Sequence, residues 1–357
     1  MYLRPIRHIR NVGLIVVTIM VMALSVVAVP DRPPYLDKLT DESTLIVVAE
    51  ATSIQRGIRS VVLEASELKS QYGIQISGPR ISARVDRVSL VVNQVLKGMP
   101  PSLSLEVENF TPEDPLDYIG WKGIPDRAHG VFFFRKSVGG TLEFTDRNFP
   151  WVETFRGPLS VSDGATPVDR VINVLGASLA NPGNHETYPI LWLELTKNNV
   201  AVNMALRSVL AHPDIKLRLD AARALMYRGD FSGLGVIKSA FLPATQELPN
   251  NLDVTVPSAI SFNLHDSKYI PDMEQLLASS VPMRRAAAEA LSKMDSLTAA
   301  SGLRKALGDA DVEVRYYGAV GLAHVTGEEK AWRPSREQFK ADENKYISHW
   351  KERLANQ

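Results

Sequence analysis

The chain has 357 residues, with 40 Lys and Arg against 40 Asp and Glu, and contains no cysteine. Zero net charge argues against bulk electrostatic attraction to nucleic acid, which needs a basic surface to displace counterions. The missing thiols exclude disulfides, thiolate metal sites, cysteine nucleophiles and cysteine-linked lipid anchors together.

The N-terminus carries Arg4, Arg7 and Arg10, and residues 11–30 carry no charge. A basic start followed by an apolar stretch is the pattern of an export signal. Its charge bias predicts the N-terminus inside and everything after Asp31 outside the cytoplasmic membrane of a bacterium. Two readings stay open. Val26-Val27-Ala28 offers a small-residue cleavage site, which makes residues 1–30 a signal peptide. The same stretch just reaches the roughly 20 residues that span a bilayer, which makes it a signal anchor.

Pro30-Asp31-Arg32-Pro33-Pro34 reads as a linker, and residues 31–160 read as a β-rich domain. Thr44 to Ala51 is a continuous apolar run of the buried-strand type. Ala83, Val85 and Val88 are set against Arg84, Asp86 and Arg87. Leu103, Leu105 and Val107 alternate with Ser104, Glu106 and Glu108. Gly130 to Phe134 and Leu142 to Phe144 read as two more strands, and Lys97 to Pro101 as a turn. Ser53 to Arg80 is either a long loop or a short helix. Short strands punctuated by Gly and Pro predict a small antiparallel β barrel or sandwich. The order of an apolar first strand, Asn93-Gln94-Val95-Leu96-Lys97-Gly98, an alternating strand, then Gly130-Val131-Phe132-Phe133-Phe134 resembles bacterial netrin/metalloproteinase-inhibitor-like OB-fold domains. The resemblance covers roughly 100 residues and implies an OB-like barrel. The N-terminal cysteine with which inhibitors of that family bind a protease metal is missing, so inhibition does not carry over.

Internal repeats dominate the second half. Residues 214–225, 280–291 and 311–322 all run acid-or-Ser, apolar, any, apolar, Arg, with a Leu seven residues after Arg218, Arg284 and Arg315. A degenerate copy at 253–264 has Pro257 at the arginine position. Met283, Ala287, Leu291 and Met294 fall on one helical face, as do Val314, Gly318, Leu322 and Val325. Ala221, Ala287 and Gly318 are small enough for a neighbouring helix to approach closely. Second helices follow, with apolar stripes at Leu234, Ile237 and Phe241; at Ile270, Met273 and Leu277; and at Leu297, Ala300, Leu303 and Leu307. Pairs of this size must stack to bury their apolar faces, which predicts an α-solenoid.

This segment, Asn199 to Gly327, resembles HEAT repeats, and Gly308-Asp309-Ala310-Asp311-Val312-Glu313-Val314-Arg315 is close to that family's junction between repeats. The resemblance implies that Asp309 and Arg315, six residues apart, bond along the stack. His212 and Ala278 hold the aspartate's position in the earlier copies. The expected organisation is residues 161–198 as a connection or irregular first repeat, 199–330 as HEAT-like repeats, and 331–357 as a cap. In the cap one helix from Phe339 to Leu354 turns Tyr346, Ile347 and Trp350 inward.

Chemistry-bearing motifs are fragmentary. Gly183-Asn184-His185-Glu186 matches one piece of metallophosphoesterases, but the other ligand-bearing pieces of a two-metal site are absent. Ser66-Glu67-Leu68-Lys69 has the spacing of Ser-x-x-Lys acyl enzymes without their companion motifs. His129, His212 and His324 sit beside apolar residues and read as structural. Asn109-Phe110-Thr111 is a glycosylation acceptor only in a eukaryotic secretory pathway. The reading is therefore a non-enzymatic, extracytoplasmic protein-binding scaffold. It has no catalytic, cofactor-binding or metal residues, no cofactor and no nucleic-acid partner, and it touches the membrane through residues 11–30 if they are retained. Arg304 and Lys305 are candidate contact residues. The rival is an enzyme or enzyme regulator acting through the β-rich domain.

Overall fold

The computed structural model describes residues 35–63, 81–113, 123–147, 149–157, 164–197, 199–242 and 252–355. The N-terminal apolar segment and Ser66 to Lys69 lie outside them. No helix among the described residues is long and apolar enough to cross a membrane. The chain forms two compact units. One comprises residues 42–128 and 132–151. The other comprises 35–41, 129–131 and 152 onward.

A short helix, α1 (Leu36–Glu42), precedes the sheet. Six strands follow: β1 (Leu45–Leu63), β2 (Ile81–Lys97), β3 (Ser104–Pro112), β4 (His129–Lys136), β5 (Leu142–Phe144) and β6 (Trp151–Glu153). The order is β3-β2-β1-β4-β5, with β6 also on β4. The pairings of β1 with β2, β2 with β3 and β4 with β5 are antiparallel. The two ends of this path, β3 and β5, come into contact, so the sheet curls on itself. Its core is Leu45, Val47, Ala49, Val88, Leu90, Leu105, Val107, Phe132, Phe134, Phe144 and Trp151.

One feature differs from the sequence expectation. Ser53 to Leu63 is neither loop nor helix; it continues β1, whose 19 residues are more than twice the length of the apolar run, and residues 64–80 of that stretch lie outside the described residues. Register shifts at Ala51/Ser53 and Gln55/Arg59 break the alternation there, which hides the strand from a period-two reading. The turn after β2 depends on Gly98 at φ +75, where an added Cβ would lie 2.2 Å from the Thr44 carbonyl oxygen. Only glycine fits that position.

The helical unit runs α2 (Pro167–Ala180), α3 (Tyr188–Leu195), α4 (Val200–Val209), α5 (Ile215–Tyr227), α6 (Leu234–Phe241), α7 (Leu252–Asn263), α8 (Ile270–Leu276), α9 (Val281–Ser292), α10 (Ala300–Ala306) and α11 (Val312–Val325). Five short or terminal elements complete it: α12 (Glu329–Trp332), α13 (Arg336–Ala341), α14 (Glu343–Ala355) and two single 3-10 turns before α8 and α10. Helices α5, α7, α9 and α11 pack successively against one another, while α6, α8 and α10 pack outside them.

Each of the four inner helices buries the same positions. Leu217, Ala221 and Leu225 of α5 match Met283, Ala287 and Leu291 of α9 and Val314, Gly318 and Leu322 of α11; all are buried. In α7, Val256, Ile260 and Leu264 take these places around Pro257. Close packing at Gly318 is against backbone, where a Cβ would stand 2.9 Å from the Leu307 amide nitrogen. Leu297 departs from its expected stripe: it is 66% exposed, because it opens a 3-10 turn before α10 begins.

The cap is two helices rather than one. Asp342 leaves the helical region at φ −147, ψ 63, and its carboxylate accepts the Lys345 N–H at the start of α14. Phe339 and Trp350 are fully buried and Tyr346 nearly so.

Candidate interaction surface

The repeated arginines do the same local work in three copies. Arg218 Nη1 donates to the carbonyls of His212 (2.6 Å) and Pro213 (3.0 Å). Arg284 Nη1 donates to the Ser279 carbonyl at 3.0 Å. Arg315 Nη1 donates to the carbonyls of Asp309 and Ala310, both at 2.7 Å. Each arginine thus reaches back over the turn that precedes its helix and satisfies carbonyls that a helix end leaves open.

Their remaining donors link successive repeats. Arg284 makes a two-pronged bond to Asp309, 2.8 Å from Nε and 3.1 Å from Nη2. Arg315 Nε pairs with Glu343 at the start of the cap. The resemblance implied bonding between Asp309 and Arg315; these residues do meet, but through the Asp309 backbone. The Asp309 carboxylate belongs to Arg284, because it already turns toward its own helix start, accepting the Asp311 N–H at 2.8 Å. Glu343 carries no repeat signature and lies 28 residues from Arg315, so the sequence pattern missed it.

His212 holds the aspartate's place with reversed polarity. The Asp214 N–H donates to Nδ1 at 3.0 Å, so Nε2 carries the proton and donates to the Asn181 carbonyl at 2.8 Å. At the third copy Ala278 makes no such link, and the Ser279 hydroxyl donates to the Phe241 carbonyl instead.

Ion pairs lace the exposed face of the inner helices. Arg285 binds Asp311 through two bonds, 2.9 and 2.6 Å, and this guanidinium holds the Asp311 carboxyl down at about 2. Arg223 joins Glu194 and Asp220. Burial alone would lower the Arg223 value, but the two carboxylates outweigh it and raise it. Arg336 lies over the rings of Tyr316 and Tyr317 and pairs with Glu313, as does Lys340. Burial, with Glu289 nearby, pushes the Tyr317 hydroxyl up to about 12. Arg228 closes the end of α3, donating to the carbonyls of Glu194, Thr196 and Lys197. None of these pairs was signalled by a motif.

The remaining sequence candidates are dispersed. Asn184 folds back on the Glu186 backbone through both side-chain atoms. His185 reaches Asp214, whose carboxyl stays below its ordinary value because the Lys216 N–H and His185 overcome its burial. His129 Nδ1 lies 3.0 Å from the Thr154 hydroxyl, and His324 pairs with Asp295. Lys305 pairs with Glu274, while Arg304 is exposed. Among the described residues no three His, Asp or Glu side chains gather as a metal-binding group.

In the sheet, one carboxylate stands apart. Asp86 is wholly buried; it accepts the Gly57 N–H at 2.8 Å and the Thr111 hydroxyl at 3.0 Å, and meets Arg56 at 3.3 Å. Arg56 also donates to the Ile124 carbonyl. This hub fastens the irregular stretch of β1 to β2 and β3. Asn109, at the acceptor motif, is buried on β3, and its side-chain amide lies 3.5 Å from the Thr111 hydroxyl.

The sequence matches no protein-family model and no curated protein.

Proposed function

We propose that the chain is a non-catalytic, extracytoplasmic protein-binding scaffold whose helical unit is a HEAT-like solenoid and whose sheet is an OB-like barrel. The observation that carries this reading is the threefold arginine geometry of Arg218, Arg284 and Arg315: one residue type, at one helix position, satisfying the turn behind it. That recurrence is what stacked repeats require, and stacked repeats offer extended surfaces suited to a protein partner. The exposed charges of the inner helices are paired with one another, which favours a partner recognised by shape and apolar contact over a polyanion such as nucleic acid. The strand order, with β3 meeting β5, supports the barrel reading. Export rests on Arg4, Arg7, Arg10 and the uncharged residues 11–30.

The test is a crosslinking pull-down of the full-length protein from its native membrane fraction, beside a chain lacking residues 199–357. A specific protein recovered only with the helical unit supports the scaffold reading. Equal recovery with the truncated chain transfers recognition to the sheet.

A further inference from the structure

Helix α7 differs from its three counterparts in every polar feature that ties them down. Pro257 replaces the arginine, so α7 has no guanidinium at the position from which Arg218, Arg284 and Arg315 donate to the carbonyls behind them. Proline also lacks the N–H that would bond the Asp253 carbonyl inside the helix, and its ring crowds that carbonyl.

Three polar side chains of α7 bond back on their own helix, while the Thr255 hydroxyl is buried without a partner. Ser258 donates to the Val254 carbonyl, Ser261 to Ser258 and Asn263 to Ala259. Such back-bonding bends a helix and weakens it slightly. Among the described residues no ion pair joins α7 to another helix; its polar ties outward are Lys293 Nζ to the Ser261 carbonyl at 2.8 Å and over the Phe262 ring, and His265 Nε2 to the same carbonyl at 3.2 Å. By contrast, α9 and the turn into α11 share two arginine–aspartate pairs. What holds α7 is apolar packing through Leu252, Val256, Ala259, Ile260 and Leu264. Packing of this kind tolerates small rotations better than directional bonds do. The outer layer keeps a tether across the same point, Lys238 to Asp272 at 2.6 Å.

We propose that α7 is the bending point of the helical unit, about which α2–α6 and α8–α14 move as two blocks. The absence of cysteine makes a direct test clean, since spin labels attach only where cysteines are introduced. Met204 and Leu297 are 64% and 66% exposed and flank α7, whereas Leu297 and Lys340 both lie beyond it. In the full chain, the Met204→Cys/Leu297→Cys pair is expected to give a distance distribution about twice as broad as the Leu297→Cys/Lys340→Cys pair. Equal widths overturn the proposal. Hydrogen exchange on the unlabelled protein is the second reading: amides of 252–264 should exchange at least about tenfold faster than those of α9 and α11. Equal protection also overturns it. Pro257→Ala restores the missing donor and is expected to narrow the Met204–Leu297 distribution; an unchanged width assigns the bend elsewhere.

Discussion

The two units handle charge in opposite ways. In the sheet, a single carboxylate, Asp86, is taken wholly out of water and made to serve Gly57, Thr111 and Arg56 at once. In the helical unit the charges are spread out: pairs such as Arg284–Asp309 and Arg285–Asp311 recur between successive helices, with carboxylates that keep some exposure. In the sheet the polar groups gather where the irregular stretch of β1 is fastened to β2 and β3, whereas in the helical unit arginine–carboxylate pairs are distributed over several helix junctions.

If that contrast holds, mutations should rank accordingly. Asp86→Ala leaves a buried N–H, a hydroxyl and a guanidinium without their acceptor. It should cost about 3 kcal/mol in urea denaturation of the full chain. A loss no larger than that of a surface residue would break the idea of a hub. Gly318→Val drives side-chain atoms into the α10–α11 turn and should cost about 2 kcal/mol by overpacking, read in the same melts.

Arg284→Ala and Arg315→Ala should each cost about 1.5 kcal/mol, and by similar amounts, since the two residues do equivalent work. A double-mutant cycle of Arg284→Ala with Asp309→Ala should show coupling of about 1 kcal/mol, whereas Arg218→Ala with Arg315→Ala, which share no partner, should be nearly additive. Strong coupling in the second cycle would mean that the joints are not independent.

The smallest effect is in acid. Asp311 is held at about 2 against an ordinary value of 3.8, so its contribution to stability is complete above 3.8 and is lost as pH falls through about 2. Denaturation midpoints measured from pH 4.5 down to pH 2 should fall less steeply for Asp311→Asn than for the wild type.

What the sequence revealed follows the same division. Repeat positions could be read because a helix repeats its burial every three or four residues. Val256, Ile260 and Leu264 keep that register even where Pro257 has replaced the arginine. The ladder partners could not be read, because Glu343 and Asp309 meet arginines 28 and 25 residues away, a distance fixed by stacking and not by local pattern. In the sheet, an apolar run exposed the first half of β1 and alternation the first half of β3, although Leu103 lies just outside the strand and is exposed. The second half of β1 was hidden by its register shifts, and β6 by its three-residue length. The break at Asp342 was missed because the apolar spacing of Phe339, Tyr346 and Trp350 continues across it.

The reach of the arginines also bears on synthesis. Each looks back five or six residues, and Arg284 and Arg315 reach forward 25 and 28, so none of these bonds waits for a segment farther along the chain than that. The sheet has no such schedule: Thr44 waits for the Phe134 carbonyl, 90 residues later, before β1 meets β4. Non-local pairing of that kind slows folding. The first unit translated is therefore expected to finish no sooner than its last strands emerge, while the helical unit accrues joint by joint behind it.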